Sequence, residues 1–197
     1  MLNYVPKMKN GHPPSEHFHA VRFYDGSDSL CRIVGQFLGE GLAQGHPVLV
    51  IATPDHSSRI EDCLTAAGFD VPSLKRLGDI VTLDAHETLG QFMVGAMPDA
   101  ALFQQAVGEL IAQVRREHGS VSIRAYGEMV NVLWKVGLED AAIRLEMLWN
   151  QLAKTHEFSL LCGYSMGNFY KDAAVDDIKR QHSHLVSEEG QTRPLAS

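Results

Sequence analysis

The run PVLVIAT, residues 47–53, constrains this chain more than any other feature. It is apolar without a break and rich in β-branched residues, the composition of a strand covered on both faces. Pro54 follows at once, and proline suits the first position of a helix, where its missing N–H is not needed. A doubly buried strand that runs straight into a helix belongs in a parallel sheet with helical layers on both sides. Four other segments fit the same scheme: FHAVRFY (18–24), DIVTLDA (79–85), VSIRAYG (121–127) and FSLLCGY (158–164). Helices are expected from Ser27 or Asp28 to about Gln44, from Pro54 to Gly68, and over about 86–95, 99–117, 128–136, 139–155 and 167–185. The first carries Leu30, Ile33, Val34, Phe37, Leu38 and Leu42 at helical spacing, and Gly45 closes it. The expected fold class is α/β: a three-layer sandwich around a mostly parallel sheet. Residues 1–16 are expected to form a flexible arm, 17–186 one domain, and 187–197 a disordered tail.

Charge and cysteine usage narrow the function. A formal net charge of −7 argues against direct contact with nucleic acid, which needs clustered lysine and arginine. Cys31, Cys63 and Cys162 show no CxxC spacing and sit in apolar patterns, as core thiols of a reducing compartment do. No apolar run is long enough to span a membrane, and the first residues lack the apolar centre of a secretory leader. A cytoplasmic location is expected.

Ligands of open parallel sheets bind beyond the carboxy-terminal strand ends. Those ends present Tyr24 and Asp25; Thr53, Asp55 and His56; Asp84 and His86; Gly127 and Glu128; Tyr164 and Ser165. The junction RFYDGSDSL has the strand–turn–helix form of a phosphate loop, yet no Gly-Lys pair occurs in the chain. Without that lysine an acidic rim repels a triphosphate, so ATP hydrolysis by the usual mechanism is not expected. Glu146 and Asn150 lie four apart on one helix beside Trp149, either lining a pocket or belonging to an ordinary amphipathic helix. Arg124, inside a strand, calls for a partner such as a core carboxylate.

Ten histidines raise the question of a metal. His17 and His19 alternate on a strand, and His182 and His184 recur in QHSHL. Neither HExxH nor a finger-type Cys/His spacing is present, so no metal and no cofactor are expected. GYSMG (163–167) matches GxSxG around Ser165, but the acid and histidine that should follow lie too close behind for a hydrolase.

Taken together, RFYDGSDSL, FLGEGLAQGHPVLVIATPDH, LDAHETLGQFMVGAMPD, RAYGEMVNVLW and RLEMLWNQLAKTHEFSLLCGYSM resemble the MEDS domain, the methanogen/methylotroph, DcmR sensory domain. The resemblance covers roughly residues 17–185. It implies a RecA/KaiC-like fold without a P-loop and a non-enzymatic sensory role. The family is associated with small hydrocarbon derivatives and with DNA-binding, kinase or anti-sigma modules. The 197 residues leave no room for such a module, so signalling is expected to pass to a regulatory protein partner: a kinase, a transcription regulator or an anti-sigma system. A homo-oligomer is also expected. The ligand site inferred on the rim comprises Tyr24, Asp25, Asp55, Asp84, Glu128, Trp149, Asn150 and Tyr164. Two alternatives stand beside this one. One is a ligand-free interaction adaptor, with the rim filled by Phe23 and Met129. The other is a degenerate nucleotide binder using Asp84 and Glu128 around Mg²⁺.

Overall fold

A computed structural model describes residues 18–119, 121–168 and 172–195. The amino-terminal arm expected over 1–16 lies outside them. In chain order the elements are β1 (His19–Tyr24), α1 (Ser27–Ala43), β2 (Val48–Ala52), α2 (Pro54–Ala66), α3 (Val71–Leu77), β3 (Ile80–Asp84) and α4 (Ala85–Gly90). Then come the short strands β4 (Met93–Val94) and β5 (Met97–Pro98), followed by α5 (Ala100–Phe103), a π-helical turn (Gln104–Gly108) and α6 (Glu109–Glu117). β6 (Ile123–Gly127), α7 (Met129–Lys135), α8 (Glu139–Leu152), β7 (Phe158–Ser165), α9 (Asp172–Arg180), β8 (His184–Val186) and β9 (Thr192–Pro194) complete the fold.

The main sheet has the order β3-β2-β6-β7-β1-β8-β9. Every pairing in it is parallel except β8 with β9. β2 is buried along its whole length, as its unbroken apolar run requires. Alternate residues of each strand feed two cores. Leu30, Ile33, Val34 and Leu38 of α1, Ile60 and Leu64 of α2, and Val71 of α3 cover one face. Leu89, Phe103, Ile111, Leu133, Leu145, Trp149 and Ile178 cover the other. The chain is therefore the expected three-layer α/β sandwich.

Several local details depart from the sequence reading. Gly26, not Ser27, is the N-cap of α1, and it offers no side-chain acceptor. Helix α3 had no counterpart; Asp70 starts it by accepting from the Ser73 backbone N–H. The β4–β5 hairpin occupies the stretch expected to close one helix and the break before the next. The last helix ends at Arg180, and His184–Val186 instead pairs with β1. Thr192–Pro194, in the stretch expected to be disordered, forms a hairpin with β8. These last strands have only three residues each, too short for alternation to reveal them.

Arg124 does find its carboxylate. Its Nη1 donates to Glu40 at 3.2 Å and to the Phe37 carbonyl at 2.8 Å, and the guanidinium lies over the Phe37 ring. Gly41 makes that path possible, since a Cβ there would meet Arg124 Cδ at 2.8 Å. Among the described residues no helix is long and apolar enough to cross a membrane.

Candidate functional site

Two polar constellations are set into this frame, on opposite faces of the sheet. The first lies at the carboxy-terminal rim. Glu128 follows β6 and is almost wholly buried. Its Oε2 accepts from the Thr53 backbone N–H at 3.1 Å and the Thr53 hydroxyl at 3.3 Å. Its Oε1 lies 2.8 Å from His56 Nδ1. A carboxylate only accepts, so Nδ1 carries the proton and Nε2 is left to accept from the Ser27 hydroxyl, 2.9 Å away. Ser27, half-buried, opens α1, whose first backbone N–H groups have no partner within the helix. Beside this chain, Asn131 Nδ2 donates to the Tyr24 hydroxyl at 3.1 Å, and Asn131 Oδ1 accepts from the Ser165 N–H at 3.0 Å. Burial, with the Glu128 charge adding to it, pushes the Tyr24 phenol well above its ordinary value.

The second constellation lies between β1, β7, α8 and the segment after α9. His19, Glu146, Cys162 and His182 are all buried, and their ligating atoms lie within 4.8 Å of one another. Glu146 Oε2 is 3.2 Å from His19 Nε2 and 3.6 Å from Cys162 Sγ. Glu146 Oε1 is 3.4 Å from His182 Nε2 and accepts from the Tyr164 hydroxyl at 2.8 Å. Burial alone would raise the Glu146 carboxyl, but the two imidazoles, when protonated, hold it far below the usual range. Burial lowers His19, helped by His182, and raises the Cys162 thiol. A pocket of about 200 Å³ adjoins this cluster, lined mainly by Phe18, His19, Trp149, Asn150, Phe158 and Leu160. Phe18, His19 and Phe158 belong to the starts of β1 and β7, so the pocket opens at the end of the sheet opposite the rim. The buried Trp149 Nε1–H has no acceptor among the described residues.

The residues expected to share one rim site fall into three groups. Tyr24 and Glu128 meet across the first constellation. Trp149, Asn150 and Tyr164 gather instead around the second. Asp25 and Asp55 are exposed, Asp55 pairing with Arg59 at 3.1 Å. Asp84 caps α4, accepting from the His86 and Glu87 N–H groups. Asp84 and Glu128 are thus both engaged by protein donors. Met129 is fully buried, and Phe23 packs on Tyr164 with ring centroids 6.1 Å apart. Ser27 was not singled out by the sequence, nor was the joining of His19 with His182. The available signal was an HxH at each end of the domain. Joining them requires the β1–β8 pairing, which matches Ala20 with His184.

Among solved structures, the chain is similar to the flagellar accessory protein FlaH from Methanocaldococcus jannaschii. The TM-score is 0.52 at 7% sequence identity, covering 87% of this chain and 70% of that one. That likeness establishes a RecA-like fold. No match is found among curated proteins. The family model for MEDS, the methanogen/methylotroph, DcmR sensory domain, matches residues 18–183. The chain therefore belongs to the MEDS family of sensory domains.

Proposed function

We propose that this chain is a non-enzymatic sensory domain that binds a small organic molecule in the pocket beside Trp149 and passes the signal to a regulatory protein partner. Membership of a sensory family supports the role, and the absence of a Gly-Lys pair speaks against nucleotide hydrolysis. The observation that carries the ligand site is a mostly apolar pocket that Trp149 and Asn150 line, next to the buried polar cluster. Apolar walls with a few polar groups suit a small organic molecule. The volume suits a ligand of a few non-hydrogen atoms, mostly apolar with one oxygen. Such a ligand would act by favouring one of two states of the sheet edge formed by β8 and β9. No resident organic cofactor is proposed. Self-association is proposed as part of signalling.

The test is a thermal-shift panel of short-chain alcohols, aldehydes and ketones on the unaltered protein and on Ala153→Phe, which puts a ring into the pocket that Ala153 lines. A ligand should raise the Tm of the former and leave the folded variant unmoved. Equal shifts in both, or none in either, would remove the pocket from the account.

The Ser27–His56–Glu128 chain supports a second reading, acyl transfer at the rim. Ser27 Oγ would attack an ester carbonyl while His56 Nε2 takes its proton and returns it to the leaving alkoxide. Water would then cleave the acyl-serine to the acid, restoring Ser27. A fluorophosphonate probe should label Ser27 and spare Ser27→Ala. An unlabelled protein ends this reading.

A further inference from the structure

We propose that His19, Glu146, Cys162 and His182 form a binding site for one divalent transition-metal ion, with zinc the best fit. Asn150 Nδ2 donates to the Gln181 carbonyl at 2.9 Å, which turns Asn150 Oδ1 toward His19 Nδ1, also at 2.9 Å. In a neutral His19 the proton therefore sits on Nδ1 and the Nε2 lone pair faces inward. His182 Nδ1 lies 2.7 Å from the Ile178 carbonyl, which can only accept, so in a neutral ring its Nε2 is likewise a lone pair. That Nε2 is buried and has no hydrogen-bond partner among the described residues.

With both imidazoles neutral, the centre collects two imidazole lone pairs and a carboxylate. The one proton available to all three is the Cys162 thiol's. Tyr164 is already committed to Glu146 Oε1. So many converging acceptors with so few donors repel one another, and a cation in their midst removes the conflict.

The spacing fits an ion. A tetrahedral centre with bonds of about 2.0–2.3 Å holds its ligand atoms about 3.3–3.8 Å apart. Four separations here are 3.2 Å for His19 Nε2–Glu146 Oε2, 3.4 Å for His19 Nε2–Cys162 Sγ, 3.6 Å for Cys162 Sγ–Glu146 Oε2 and 3.4 Å for His182 Nε2–Glu146 Oε1. One ligand atom from each residue lies within 4.8 Å of the others, so small side-chain movements would close the four around an ion. Two nitrogens, a sulfur and a carboxylate oxygen suit zinc better than magnesium or calcium, which prefer oxygen. The contacts of Asn150, Ile178 and Tyr164 are those that orient ligands around a metal. On binding, Cys162 would release its proton to solvent and coordinate as the thiolate. The ion would tie the segment after α9 to β1, β7 and α8. This inference stands apart from the proposed small-molecule pocket, because none of its steps requires an organic ligand.

The test is a Co²⁺ titration of the full chain after treatment with chelator. The expected result is saturation at one equivalent, with a thiolate-to-cobalt charge-transfer band in the near ultraviolet and the strong visible bands of a tetrahedral ion. Cys162→Ser should lose the first band and keep the second. Asn150→Ala should keep both but bind about 10- to 100-fold more weakly. A weak octahedral spectrum, or a charge-transfer band that survives in Cys162→Ser, would overturn the site. The spectrum of the unaltered protein decides even where a variant fails to fold. An organic-ligand result, positive or negative, does not alter it.

Discussion

The two constellations contain the same chemistry in different states of satisfaction. At the rim, Glu128 receives a backbone N–H, a hydroxyl and an imidazole N–H, so its charge is met by donors from within the protein. In the inner cluster, Glu146 faces two imidazole nitrogens that, in neutral rings, carry lone pairs, their protons pointing elsewhere. A polar group with all its partners holds a fold together. A buried polar group whose neighbours are also acceptors points to something that arrives from outside. The rim supplies anchorage and one aligned hydroxyl. The inner cluster, with its pocket, has the features of a receiver.

Substitution can sharpen that contrast. Glu128→Ala should give the largest effect, on the order of 3 kcal/mol of lost stability, because it strands His56 and Thr53 in a buried site. The urea midpoint should fall with unchanged slope, with or without chelator. Glu128→Gln should cost about 1–3 kcal/mol in the same measurement, since an amide cannot accept from both sides. Glu146→Gln in chelator-treated protein should instead stay within about 1 kcal/mol of the parent or gain stability, because the new amide N–H meets waiting lone pairs. Equal losses for the two Gln variants would erase the distinction between the sites.

A smaller effect concerns pH. Burial pushes the Cys31 thiol from an ordinary 9.0 up to about 12, and Tyr24 shifts in the same direction. A group raised by folding favours the folded state below its unfolded pKa. That contribution is lost as pH climbs toward the folded value. The urea midpoint at pH 10 should therefore lie below that at pH 7. Folded Cys31 should also resist iodoacetamide at pH 8, as read by mass spectrometry, since only a thiolate attacks.

Much of the architecture is legible in the chain. PVLVIAT, Thr53-Pro54 and the left-handed Gly45 and Gly68 are local signals with local causes, and the corresponding strand and helix bounds agree to within a residue or two. The candidate sites are less legible, for a definite reason. A rim drawn from strand ends treats residues as neighbours because each ends a strand, yet side chains alternate between faces. Tyr24 therefore turns toward α1, while Tyr164 turns toward α8. The inner cluster was hidden further by β8, a three-residue strand that the helical pattern of 167–185 absorbed. Once His184 pairs beside Ala20, His182 comes within 4.1 Å, ring centre to ring centre, of a histidine more than 160 positions earlier. No spacing rule for metal ligands reaches across such a distance.

The most direct measurement is a crystal of the protein grown with Zn²⁺, with anomalous differences recorded on both sides of the zinc absorption edge. The account predicts one strong peak bounded by His19 Nε2, His182 Nε2, Cys162 Sγ and Glu146. A peak at the rim beside His56 and Glu128 instead, or no peak with the inner cluster well ordered, would contradict it.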